Sequence, residues 1–248
     1  MITHNILPNI SVDCVIFGFD FEKLNVLLVE RKLKDEITDE LIIDDLTLTG
    51  YHIFEDETLD NAAVRILKNL TGLDNIYLEQ FYTFGSLERV SGEKDQLWIK
   101  HINEGFYDRI VTVGYYSLID STKVTISSKD RKIDWYSIKS LESLALAYDH
   151  KDIIVNALNV LRKKIRLEPV AFELLPDKFT LSQLQKLYEA VLGYDFDKRN
   201  FRKKIAQMPY VIPLNEKQKG VAHKPAQLFV FSQDVYNKTT KGVTEFLV

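Results

Sequence analysis

Two runs of apolar, β-branched residues open the chain, at 11–17 (Ser-Val-Asp-Cys-Val-Ile-Phe) and 24–30 (Leu-Asn-Val-Leu-Leu-Val-Glu), with Gly18-Phe19-Asp20 between them. The pattern predicts a β-hairpin. Charged residues crowd 32–45, which points to a surface loop, and a short apolar run at 46–49 then ends at Gly50. From Thr58 the period changes. Leu59, Ala62, Ala63, Ile66, Leu67 and Leu70 recur at three and four, the spacing of an amphipathic helix. Gly72 is its expected stop. Strands are predicted around 82–87 and 109–118, separated by a polar excursion at 88–108, with a short strand at 133–136. Residues 151–166 predict a helix with Ile154, Leu158, Leu161 and Ile165 on one side and a basic end.

Pro169 and Pro176 break the chain there, and the expected domains are 1–168 and 169–248. Beyond the break, Thr180-Leu-Ser-Gln183 is a capping-box signature, in which the Thr hydroxyl and the Gln amide satisfy free helix-start donors. Leu181, Leu184, Leu187, Tyr188, Val191 and Leu192 supply its apolar stripe, and Gly193 ends it. Asp197 is a suitable N-cap for a second helix, with Phe201, Ile205 and Met208 inward and a basic outer face. Residues 210–212 and 227–231 flank a polar stretch that makes a β-hairpin with Lys217, Lys219 and Lys224 toward its tip. Helix, turn, basic helix and basic-tipped hairpin is the order of a winged helix-turn-helix.

Composition narrows the class. One cysteine, Cys14, excludes a disulfide framework and a cysteine-based zinc site. No apolar run approaches the ~20 residues of a membrane span, and the first residues lack the features of a signal peptide. A soluble, cytoplasmic protein is the expectation, without cofactor or metal. Charge is uneven: the whole has 32 Lys and Arg against 36 Asp and Glu, yet residues 177–248 have twelve against seven. Within 198–224 the balance is eight basic residues to one acid, Glu216. An acidic body with a basic module suits nucleic-acid binding, although a solvated helix face gives the same count.

The segment 50–73 (Gly-Tyr-His-Ile-Phe-Glu-Asp-Glu-Thr-Leu-Asp-Asn-Ala-Ala-Val-Arg-Ile-Leu-Lys-Asn-Leu-Thr-Gly-Leu) resembles the Nudix box, whose glutamates hold Mg²⁺ or Mn²⁺ against a diphosphate. Hard divalent cations need several oxygen ligands. Glu57 stands at the loop Glu, Arg65 at the Arg, and Thr71-Gly72-Leu73 at the close. The three helix glutamates, however, correspond to Ile66, Asn69 and Leu70, and the second loop glycine to Tyr51. Ile and Leu cannot ligate a hard cation, so a non-enzyme is expected.

The resemblance runs from about 11 to 231. Residues 107–118 (Tyr-Asp-Arg-Ile-Val-Thr-Val-Gly-Tyr-Tyr-Ser-Leu), the Tyr148-Asp-His150 step and 172–189 (Phe-Glu-Leu-Leu-Pro-Asp-Lys-Phe-Thr-Leu-Ser-Gln-Leu-Gln-Lys-Leu-Tyr-Glu) are similar to the Nudix-related transcriptional regulators of the NrtR and AraR types. The run Asp197-Lys-Arg-Asn-Phe-Arg-Lys-Lys204 is similar to the start of that family's recognition helix. The resemblance implies an α+β chain: a Nudix-like α/β/α sandwich that binds an effector and dimerises, then a winged helix-turn-helix.

Arg grips guanine with two hydrogen bonds in the major groove, so Arg199 and Arg202 are the expected base readers. Asn200 suits adenine or local capping. Lys198, Lys203 and Lys204 are expected on phosphates and the wing lysines on flanking backbone. A homodimer on palindromic operator DNA follows, since one winged helix reads few base pairs. The effector pocket is expected to include His52, Glu57, Glu88, Arg89, Trp98, Arg109, Asp149 and His150. These residues suit a sugar and a nucleotide sugar alike. The eroded box resembles non-hydrolysing sugar regulators, which favours an arabinose-like sugar or sugar phosphate, and hence carbohydrate metabolism, over ADP-ribose. Two readings compete with this one. An active Nudix hydrolase of ADP-ribose-type substrates with an accessory nucleic-acid module fails on the missing glutamates, and a protein-docking module leaves the basic segment idle.

Overall fold

The computed structural model describes residues 5–35, 37–102, 109–128, 131–220 and 224–239. It contains two compact units: Met1–Gly18 with Leu24–Ala157, and Phe19–Lys23 with Leu158–Val248. Among the described residues no helix is long and apolar enough to cross a membrane.

In the first unit β1 (Ile6–Phe19) and β2 (Leu24–Lys34) are the expected hairpin strands, longer than their apolar cores. Asp20 makes the turn, its Oδ1 accepting from the Glu22 and Lys23 amides. Most of 32–45 is strand and not loop. β2 runs on to Lys34 and β3 (Leu41–Thr47) begins at Leu41, and the two pair antiparallel with Arg31 opposite Asp45 and Lys32 opposite Asp44. The charges that suggested a loop are cross-strand partners on a sheet rim. β4 (Thr49–Phe54) pairs antiparallel with β1, β5 (Glu79–Phe84) with β6 (Val111–Asp120), and β7 (Ile133–Ser137) with β2, giving a seven-stranded sheet.

Helix α1 (Leu59–Thr71) begins at Thr58, whose side chain accepts from the Asn61 amide, and ends at Gly72, which has a φ of 74°. Its Ala62, Ala63, Ile66 and Leu67 pack against Val12, Cys14, Ile16 and Leu27 of the sheet. Full burial pushes the Cys14 thiol well up, and the adjacent Asp13 charge adds to it, so the thiol is held protonated. The 88–108 excursion is ordered around α2 (Glu93–Ile102), which carries buried Trp98 and Ile99; residues 103–108 lie outside the described residues. Its apolar positions are too few for the helical period to stand out of the charge.

Helix α3 (His150–Leu167) starts on a buried anchor. The Leu48 amide donates to His150 Nδ1 at 3.0 Å, and the Thr47 hydroxyl lies 3.1 Å from the same atom. Nδ1 is therefore the bare nitrogen, and the proton sits on Nε2, 3.7 Å from Asp13 Oδ1.

The second unit holds α4 (Leu181–Leu192), α5 (Lys198–Ile205) and a hairpin of β8 (Val211–Lys217) and β9 (Gln227–Phe231). The capping box forms in full, with Thr180 and Gln183 exchanging side-chain and backbone bonds. Buried Gln185 donates to Glu189 and to the Phe196 carbonyl, while Glu189 accepts from the Phe196 amide, which sets the α4–α5 turn. Phe172 stacks on Phe231 at 4.4 Å, and Tyr210 packs edge-on against both. A short helix α6 (Gln233–Thr239), absent from the sequence reading, places Tyr236 against Tyr210 and Phe231.

Two outcomes test this fold. Thr180→Ala removes the acceptor for the Gln183 amide and lowers stability by about 1 kcal/mol in urea denaturation of the full chain. Burial lowers the pKa of His150 and His52 from 6.5, so both are neutral when folded and take up protons when unfolded. The unfolded chain binds the extra protons below that value. Stability thus falls as pH drops below 6.5, by up to about 1.4 kcal/mol per pH unit for each histidine. His150→Asn, which keeps an acceptor at the Nδ1 position, removes its share of that slope; an unchanged slope would refute the assignment.

Candidate functional sites

The first site is built on a buried ion network. Asp13 lies inside the otherwise apolar β1 and is 5% exposed. Its Oδ2 accepts from Arg89 Nη2 at 3.2 Å, and Arg89 also pairs with Asp149 at 2.9 Å. A second buried guanidinium, Arg31, takes Asp45 through two bonds of 2.7 Å and Asp95 of α2 at 2.8 Å. Its charge lies 4.9 Å from the Tyr148 ring and 5.5 Å from the Trp98 ring, within cation–π range. Burial works against both charged arginines, but the carboxylates outweigh it and the guanidinium pKa values rise. Burial pushes Tyr148 up to about 12, against the opposing effect of Arg31, so its hydroxyl stays protonated. Its backbone is left-handed, with φ at 53°, a strained state for a tyrosine.

Against the network lies a half-open cavity of about 160 Å³, and a wider cleft of about 820 Å³; Arg89 and Tyr148 line both. Gly50, opposite Asp13 in the β1–β4 register, also lines the cavity. A Cβ there would lie 1.9 Å from Asp13 Oδ1, so only glycine lets the carboxylate rest against the strand.

Of the residues expected at the effector pocket, His52, Arg89, Trp98 and His150 line the cavity, and Glu88 and Asp149 join Arg89 in the cleft. Glu57 and Arg109 line neither. Arg109 is exposed, and Glu57 is held by Arg65, whose Nε donates at 2.8 Å, and by the Phe54 amide at 2.8 Å. Burial works to raise the Glu57 carboxyl, but Arg65 prevails and keeps it below its usual range. Arg65 also stacks over Phe54 at 3.9 Å and donates to the His52 carbonyl. The pair therefore locks the loop to α1. The sequence reading missed Asp13, Ser11, Tyr51 and Arg131 as lining residues. For Asp13 a signal existed: an acid within an unbroken apolar strand must be paired.

The donor set does not fit a divalent cation. Ile66 is in the core, Asn69 is exposed, and Leu70 packs on the core and borders the cavity. Among the described residues no group of three or more His, Cys, Asp or Glu side chains is placed to hold a metal.

The second site is the outer face of α5. Asp197 caps it by accepting from the Asn200 amide. Phe201 and Ile205 are buried, and Lys198, Arg199, Asn200, Arg202, Lys203 and Lys204 are exposed, as are Lys217, Lys219 and Lys224. Glu216, the one acid in this stretch, pairs with Lys178 at 2.7 Å. Arg202 and Lys224 line a groove of about 450 Å³ together with Thr180, Leu181 and Ser182 at the start of α4.

Residues 171–231 match the model of the NrtR DNA-binding winged helix domain. The chain is 28% identical over 243 residues to a protein of Acinetobacter baylyi described as an ADPR responsive transcriptional repressor NtrR, covering 96% of this chain and 88% of that one. It is similar to the crystal structure of Shewanella oneidensis NrtR complexed with a 27mer DNA, with 26% identity, a TM-score of 0.63 and coverage of 96% and 97%. A MutT/nudix family protein from Enterococcus faecalis, at 21% identity and a TM-score of 0.63 over 94% and 89% of the chains, shares the fold. The chain thus has the two-domain build of the Nudix-related transcriptional regulators, a Nudix-like domain followed by an NrtR-type DNA-binding winged helix.

Proposed function

We propose that the chain is a cytoplasmic repressor that binds a palindromic operator as a homodimer and leaves it when its Nudix-like domain, residues 1–168, takes up ADP-ribose. The observation that carries the DNA half is the exposed basic face of α5 inside a matched winged helix. ADP-ribose takes the place of the arabinose-like sugar favoured by the sequence, because the Acinetobacter relative is ADPR responsive. Carbohydrate metabolism loses its support with that sugar. The sensor does not hydrolyse its ligand, since Ile66 and Leu70 stand where metal-binding glutamates would be needed. Two-fold symmetry supplies the site length that one winged helix lacks. The first domain and α3 are the proposed dimer surfaces.

On α5, Arg199 is the first proposed base reader. Arg202, which also lines the groove at the start of α4, is the second proposed base reader, and Lys198, Lys203, Lys204 and the wing lysines lie on backbone phosphates. Binding of the full chain to its selected palindrome, followed by fluorescence anisotropy, should weaken with salt at a log–log slope of about −5 to −9 for three to five phosphate contacts per subunit. Arg199→Ala narrows the gap between selected and random duplex by ~1–3 kcal/mol, whereas Lys204→Ala weakens both alike. A slope near zero, or equal losses for both variants, refutes the interface. ADP-ribose releases the duplex and is recovered intact after incubation with Mg²⁺ or Mn²⁺. Steady release of AMP would make the chain a hydrolase instead.

A further inference from the structure

We propose that Arg162 of α3 is a positioning residue for operator recognition: its guanidinium holds the last turn of α4, and through that turn the start of α5, where Arg199 and Arg202 read bases. This role rests on the DNA-binding reading above, yet Arg162 lies outside the matched winged helix, residues 171–231. From Leu158 onward α3 folds with α4 and α5 in the second unit. Arg162 is half-buried there, and its Nε donates to the Val191 carbonyl at 3.0 Å. The last carbonyls of a helix have no partner within it, and that of Val191, two residues before the Gly193 cap, is one of them. Gly193 has a φ of 84°, and a Cβ on it would lie 2.8 Å from Arg162 Nη2 and push the guanidinium off the turn.

Charge gives the contact its direction. Burial lowers the Arg162 pKa from the usual arginine value, and the neighbouring Arg166 lowers it further. Arg31 and Arg89 meet burial with carboxylates. Arg162 meets it with a helix end, whose free carbonyls carry about half a negative charge. An apolar side chain could pack at any turn of α4, whereas a guanidinium is stabilised at the C-terminal end alone. The contact therefore fixes the register of α4 on α3.

From that turn the chain reaches α5 without slack. Glu189 accepts from the Phe196 amide at 2.9 Å, and Gln185 donates to the Phe196 carbonyl at 3.1 Å, so both backbone groups of Phe196 are tied back to α4. Asp197 follows as the cap of α5, and Phe201 packs against Phe196 and Tyr188. The end of α4, the turn and α5 thus form one hydrogen-bonded and packed body. A shift of α4 on α3 is carried to α5. Bidentate reading of a base tolerates little of it, because two hydrogen bonds must keep their length and angle together.

Fluorescence anisotropy of the full chain on its selected palindrome and on random duplex tests this. Arg162→Met keeps the apolar stem and removes the donor and the charge. It lowers the ratio of the two affinities about tenfold, while the salt slope stays that of the natural chain. Arg162→Lys, a cation at the same helix end, returns the ratio to within about threefold of the natural value. A smaller folded fraction scales both affinities alike, so the ratio reports the placement of α5 and not stability. If Arg162→Met does not fold, Arg162→Gln, also neutral, replaces it and is read in the same way. An unchanged ratio, or a lysine variant no better than the neutral one, overturns the positioning role. So does an equal loss on both duplexes with a shallower salt slope, which would make Arg162 a phosphate contact. A natural chain that binds no DNA, or binds selected and random duplex alike, overturns the DNA-binding reading and this role with it.

Discussion

A guanidinium cannot be buried without carboxylates around it, and two such guanidinia organise the first domain. Arg31 draws Asp45 from β3 and Asp95 from α2, and Arg89 draws Asp13 from β1 and Asp149 from the approach to α3. Each set joins positions far apart in the chain, up to 76 residues in the case of Asp13 and Arg89. Removing one partner would leave a buried charge uncompensated, a loss of ~3–5 kcal/mol. Hydrophobic packing has no comparable directionality. The ion pairs therefore fix which loop lies over which strand, and Asp13 and Arg89 contribute to the cavity lining.

The Nudix-like helix separates scaffold from chemistry. Gly50 gives room for Asp13, Thr58 and Gly72 cap the helix, and Glu57 with Arg65 holds the preceding loop. Those residues serve geometry and are present. The positions that would ligate metal are apolar or exposed, and Ile66 contributes to the core instead. Leu70 packs against the same core and lines the cavity.

In the winged helix, polar and aromatic packing divide the work. The Gln185–Glu189–Phe196 set fixes the turn between α4 and α5, and the aromatic cluster of Phe172, Tyr210 and Phe231 holds the hairpin. Anchored in this way, α5 keeps Phe201 and Ile205 inward and its charges in solvent. Lys178 pairs with Glu216, the one acid within 198–224.

Local signals by themselves determined α1, α4 and α5, because caps and helical periodicity act within a few residues: Thr58, Thr180, Asp197, Gly72 and Gly193 all serve at the ends where their side-chain chemistry places them. The loss of metal ligands and the basic face of α5 were equally legible, since residue type and spacing suffice. The tertiary structure alone decided that residues 32–34 and 41–45 are strand, that 93–102 is helix, and that Glu57 is a lock while Asp13 lines the cavity. In each of these the deciding partner is remote in sequence, across a strand pair or an ion pair. A charged residue carries no local mark of whether it faces water or a distant counter-charge; only the folded chain supplies one or the other.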